Sequence, residues 1–221
     1  MGSAQGFFST CGLILIFVTA GCGSLYYSAM ESLGNPKREI LVDRVESARD
    51  SQEAAKEQFQ SALERFSAVL NFQGGELQEK YEELKSELDR SEERGQTVHE
   101  RIAAVEDVAE ALFDEWEDEL DDYTNQSLRR KSEAQLRATR STYEQLIKAM
   151  HRAESKIEPV LKPLRDQVLF LKHNLNAQAI ASLKDELVVI EADVASLIRD
   201  MEASIAEANR FIEAMSKTEN G

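Results

Sequence analysis

The sequence predicts an all-α protein, an elongated antiparallel bundle of about four long, coiled-coil-like helices. Three observations carry that expectation. Leu77, Leu84, Ser91, Val98, Val105 and Leu112 recur every seven residues, and Tyr81, Leu88, Gly95, Ile102, Ala109, Trp116 and Tyr123 form a second row offset by four. Alternating fours and threes over this length mark a long helix with a narrow apolar seam. The chain is 30% charged and holds ten Gly and three Pro, which suits long helices better than sheets or disorder. Such a helix is not stable alone in water and needs partners of similar length; three further seams supply them.

In chain order, the first element is a largely apolar run from Phe7 to Ala20. It is shorter than the ~20 residues a spanning helix needs and fits the hydrophobic region of a secretory signal. Thr19-Ala20-Gly21-Cys22 resembles a bacterial lipobox, whose cysteine thiol receives diacylglycerol before the signal is removed. Threonine stands where leucine is commonest, and Met1 to Gln5 carry no Lys or Arg, so the usual orientation cue is missing. The competing reading is an uncleaved anchor. On the lipobox reading, residues 1–21 are a lipoprotein signal peptide, Cys22 is the lipid attachment point and 22–35 is a lipid-anchored tether. Gly23 after the cysteine implies sorting to the outer membrane. Tyr26 and Tyr27 are candidate contact residues, placed either at the lipid interface or as a cap on the bundle. Cys11 and Cys22 are the only cysteines, so the helical body holds no disulfide, thiolate metal site or cysteine nucleophile.

Residues 36–216 form the predicted bundle domain, followed by a frayed tail at 217–221. Asn35-Pro36 is a helix start, with a capping Asn and a Pro at the first helical position. The first seam runs Leu41, Val45, Ala48, Gln52, Ala55, Phe59, Ala62, Phe66, Val69, its alanines allowing close approach beside the larger phenylalanines. Gly74-Gly75 ends this helix. The second helix reaches about Asp121; Gly95 costs it about 1 kcal/mol relative to Ala and marks a tight crossing or a bend. Thr124-Asn125 is the next turn and cap. The third helix carries Leu136, Tyr143, Met150, Ile157, Leu164 and Leu171 at sevens, with Leu161, Val168 and Leu175 interleaved. Pro159 and Pro163 predict a kink or a short restart. His173-Asn174-Leu175-Asn176 is a turn with an asparagine cap, and the fourth seam runs from Ile180 through Leu183, Leu187, Ile190, Val194, Leu197 and Met201 to Met215. Near-equal helices of roughly 57–72 Å joined by short turns fit an up-down bundle; two extended hairpins are the alternative.

A net charge of −15 makes nucleic acid an unsuitable partner. Residues 74–124 hold 19 acids and 5 bases, whereas 125–176 hold 5 acids and 11 bases. Opposite charges therefore favour pairing the second helix with the third; exposed pairs contribute about 0–1 kcal/mol each, so they set partner choice more than stability. The acidic run at 114–122 offers weak metal candidates in Asp114, Asp118, Asp121 and Asp122. It lacks calcium-loop spacing, and the preferred reading is a solvated acidic face balanced by Arg129-Arg130-Lys131. Trp116 is read as core or contact surface. His99, His151 and His173 match no metal motif and are read as surface or turn residues. Phosphate-loop and serine-nucleophile signatures are absent from the sequence. No catalytic residue, metal or cofactor is assigned, and the chain is not expected to be an enzyme.

The runs Tyr26-Tyr27-Ser28-Ala29-Met30-Glu31, Lys37-Arg38-Glu39-Ile40-Leu41-Val42-Asp43-Arg44-Val45 and Gln167-Val168-Leu169-Phe170-Leu171-Lys172-His173-Asn174-Leu175-Asn176-Ala177 resemble an uncharacterised family of predicted bacterial lipoproteins, domain of unknown function 2959. The resemblance covers essentially the whole mature chain and implies a helical envelope protein, without assigning activity or site residues. The functional expectation is a lipid-anchored, periplasm-facing coiled-coil protein of the bacterial outer membrane. It would act as a structural or protein-interaction module for envelope proteins of unknown identity. Long seams also suit a homo-oligomer. One alternative is membrane-surface binding or shaping, with Arg129, Arg130, Arg137 and Arg140 on one exposed face. The other is divalent-cation binding at the acidic tip.

Overall fold

Helix α1 spans Lys37–Leu70, α2 Leu77–Glu119, α3 Gln126–Glu154, α4 Ile157–His173 and α5 Ala177–Glu219, with a short 3-10 turn at Leu120–Asp122. The structure, a computed structural model, describes residues 36–70, 77–174 and 177–219. The sequence expectations at Cys22, Tyr26, Tyr27, Asn35, Gly74-Gly75, Leu175 and Asn176 lie outside those residues.

Every position of the first seam is buried, from Leu41 to Val69. Ala48, Ala55 and Ala62 have no exposed surface, and Phe59 between them is fully buried as well. The α5 seam continues through Ile190, Val194, Leu197, Met201, Ser204, Ala208, Phe211 and Met215, all buried. On α2 both rows face the core from Leu84 to Leu112, but the buried surface is wider than a two-row seam, because Glu87, Val108 and Phe113 are buried too. A four-helix core takes a broader stripe than a two-stranded coil.

One expectation needs correcting at the end of α2. The α-helix stops at Glu119, and the tighter 3-10 turn changes the angular register. Tyr123 consequently leaves the seam and is exposed. Pro36 acts one position earlier than predicted: its carbonyl accepts from the Glu39 and Ile40 amides at 2.9 and 3.2 Å, and Lys37 is the first helical residue. At the other terminus α5 continues to Glu219, so the first residues of the predicted frayed tail are helical.

Asn125 caps α3 as expected, its side chain accepting from the Ser127 and Leu128 amides at 2.9 and 3.3 Å. The third arm restarts. Helix α3 ends at Glu154, the Ser155 amide bonds the His151 carbonyl, and the Lys156 amide tightens onto Ala153. Pro159 then falls in the first turn of α4, where a missing N–H is tolerated, and Pro163 is accommodated inside the helix.

The arms close into a ring. Helix α1 packs on α2 and α5, while α3 and α4 each pack on α2 and α5. Inter-helix contacts fix the directions as antiparallel: Lys37–Glu115 and Arg65–Glu83 between α1 and α2, Glu92–Arg165 and Glu117–Arg140 between α2 and the third arm, and, between α1 and α5, Arg38 donating to the Met215 carbonyl and Arg49 to the Asn209 side chain. This is the up-down bundle. The predicted α2–third-arm pairing is present, yet α2 packs more extensively on α1, whose small seam residues allow closer approach than charge counting reveals.

One end, the near end, gathers the start of α1, the 3-10 turn, the start of α3 and the end of α5. The far end gathers the close of α1 and α4 with the starts of α2 and α5.

Candidate interaction surfaces

At the near end, the acidic residues of α2 point different ways around the helix. Glu115 reaches Lys37 of α1 at 2.8 Å. Glu117 meets Arg140 of α3 at 2.6 Å, and Asp121 meets Arg129 at 2.8 Å. Asp114, Asp118 and Asp122 are exposed. Asp122 shares a shallow depression with Glu119 and Tyr123. Among the described residues no three His, Cys, Asp or Glu side chains are gathered to hold a metal ion. The four aspartates singled out in the sequence are therefore not brought together as a site.

Trp116 lies between core and surface. Its ring packs against the core cluster, and Nε1–H donates to Ser132 Oγ at 2.8 Å. Next to it Phe113 meets Tyr143 edge-on with ring centroids 5.4 Å apart, and the Arg140 guanidinium sits over the Phe113 ring at 5.0 Å. Burial, with the nearby Glu106 and Glu110 carboxylates, pushes the Tyr143 phenol up to about 12.

Three of the four arginines considered for a basic face are engaged. Arg129 and Arg140 turn to α2 as above, and Arg137 bonds Glu133 of its own helix at 2.5 Å. A bare basic face built from Arg129, Arg130, Arg137 and Arg140 is thus not what the side chains form.

Midway along the bundle lies an open groove of about 590 Å³, lined by Gly95, His99, Glu154, Ile157, Leu161 and Arg165 among others. Gly95 explains how α4 comes so close: a Cβ there would stand 2.8 Å from Ile157 Cγ2 and 3.6 Å from Leu161 Cδ1. The tight crossing is real. Beside it, His99 Nδ1 lies 2.5 Å from Glu154, and His151 bridges Glu154 and Glu106. Both histidines are surface residues, as read from the sequence, but each contacts a glutamate carboxylate. Sequence distance hid these partners, 55 and 45 residues away for the pairs that join α2 to α3.

The core at this level is imperfect. Gln52 and Ser204 are fully buried, and neither the Gln52 amide nor the Ser204 hydroxyl has a hydrogen-bond partner. The Arg49–Asn209 bond places them opposite each other within about a turn.

The far end differs in kind. Leu169 and Phe170 on α4 are 58% and 42% exposed, and Val188 and Val189 on α5 are 68% and 55% exposed. Sequence reading missed these four because they sit beside, rather than on, the heptad rows. Doubling of adjacent apolar residues gives no signal, since Leu112-Phe113 and Val160-Leu161 are doubled in the same way and buried.

No helix among the described residues is long and apolar enough to cross a membrane. Neither a curated protein nor a solved structure matches the chain. A family described as "Protein of unknown function (DUF2959)" matches residues 26–215, which takes in all four arms of the bundle. The chain belongs to the DUF2959 family.

Proposed function

We propose that this chain is a non-enzymatic, lipid-anchored protein of the bacterial outer membrane that faces the periplasm and binds envelope proteins through the far end of its bundle. The observation that carries the reading is the exposed Leu169, Phe170, Val188 and Val189 on neighbouring helices. Large apolar side chains facing water on neighbouring helices are the usual mark of a contact surface. The lipobox-like Thr19-Ala20-Gly21-Cys22 precedes α1, so an anchor at Cys22 joins the bundle at its near end. Helix α2, with 43 residues, is roughly 65 Å long; the apolar surface therefore stands well away from that attachment. The ion pairs of Arg129, Arg137 and Arg140 favour this reading over one in which the third arm lies on an anionic lipid surface.

In-cell crosslinking followed by mass spectrometry, on the wild type and on Cys22→Ser, tests it. The expected wild-type result is a Cys22 lipid adduct, outer-membrane fractionation and covalent adducts to envelope proteins, with Cys22→Ser released from the membrane fraction. A Cys22→Ser protein that fractionates like the wild type, or a wild type without protein adducts, contradicts the reading.

A further inference from the structure

The ring of His151, at the C-terminal end of α3, is held on both sides. Nε2 lies 2.8 Å from Glu106 Oε1 on α2, and Nδ1 lies 2.9 Å from Glu154 Oε2 on its own helix. A neutral imidazole has one N–H and one lone pair, so it satisfies only one carboxylate and turns its lone pair on the other; imidazolium donates to both. The other Glu154 oxygen meets His99 of α2, extending the chain of contacts across the α2–α3 boundary.

We propose that His151 is a proton-operated latch: protonated, it holds the last turns of α3 on α2, and losing its proton loosens them. Two features confine the effect to α3. The α-helix is interrupted just after Glu154, at Ser155 and Lys156. On the other side of that break α4 is held to α2 by Arg165, which meets Glu92 at 2.5 Å and Glu158 at 2.8 Å, and a guanidinium does not titrate.

Burial alone lowers the His151 pKa, but the hydrogen bonds to Glu106 and Glu154 and the charges of both together outweigh it and raise the value above 6.5. These carboxylates, from α2 and α3, are the charges acting on the ring; among the described residues no α5 charge, on the opposite side of α3, is one of them. Because the folded-state value is raised, the stabilisation is fully present below about pH 6.5 and is lost as pH rises through the folded-state value. Acid closes the latch.

Hydrogen exchange of the full chain at about pH 6 and about pH 8.5, with labelling times scaled for intrinsic rates, spans the histidine range without titrating carboxylates. The expected result is a roughly two- to fivefold rise in opening of residues 143–154 at the higher pH, the size that a part-exposed ion pair supports, with residues 157–171 unchanged. His151→Gln is expected to abolish the response and His173→Gln to keep it. Glu106→Gln supplies a second reading by weakening the response without touching the ring. Equal protection at both pH values, a response that survives His151→Gln, or an equal rise in every helix overturns the proposal.

Discussion

The two ends of the bundle differ in what they leave exposed. At the near end, Lys37 and Arg140 meet carboxylates of α2 and Arg129 meets Asp121 of the 3-10 turn, Trp116 is tied to Ser132, and Phe211 and Met215 of α5 fill the core. Tyr123 and Leu128 are exposed there, but they sit among Asp121, Asp122, Arg129, Arg130 and Lys131. At the far end Leu169, Phe170, Val188 and Val189 face outward. Polar cross-links fix the register of the arms at both ends, Arg65–Glu83 joining α1 to α2 at the far one; what differs is the apolar surface that α4 and α5 leave exposed there. Charge here specifies which arms pair and in what direction; the burial of apolar seams supplies most of the stability.

The largest effect that can test this contrast is in the near-end core. Phe211→Ala empties a fully buried position and is expected to cost about 3–5 kcal/mol in chemical denaturation. At the middle of the molecule, Gly95→Ala gains up to about 1 kcal/mol of helix propensity. It also drives a methyl to 2.8 Å from Ile157 Cγ2, a β-branched carbon with little rotamer freedom. Overpacking of this kind costs about 1–3 kcal/mol, so net destabilisation is expected, and an increase in stability would show that α4 does not approach α2 this closely. Trp116→Phe keeps a ring but removes the donor to Ser132; a loss of about 0.5–1.5 kcal/mol in the same assay is expected. Phe170→Ser and Val189→Ser at the far end are expected to change stability by less than about 0.5 kcal/mol while reducing covalent capture of partners. If either costs as much as Phe211→Ala, that residue is core and the contrast between the ends fails.

Much of this architecture is legible in the sequence because the physics behind it is local. The alternation from Leu41 to Val69 identifies the buried face of α1 residue by residue, Asn125 identifies a cap, and Pro159 with Pro163 points to a kink or a restart, of which the structure has the second. What escapes is nonlocal. Glu87, Val108 and Phe113 are buried because α2 has neighbours on two sides, which a single helical period cannot disclose. Tyr123 is misplaced because three residues of tighter helix intervene. Charge counting points to the third arm as the chief neighbour of α2, but α1 packs on it more fully, through alanines whose contribution is close approach. Of the candidate surfaces, the acidic tip was legible as residues and not as geometry: its carboxylates divide among α1, α3 and solvent. The exposed pairs at the far end needed the other helices in place before their outward direction could be known.

The most direct test of the account is position-specific photo-crosslinking in cells, with the reactive group placed at Phe170 or Val189 in one set and at exposed Asp118 in the other. The account predicts adducts to envelope proteins from Phe170 and Val189 and few or none from Asp118. Adducts concentrated at Asp118, with none from the far end, would contradict it.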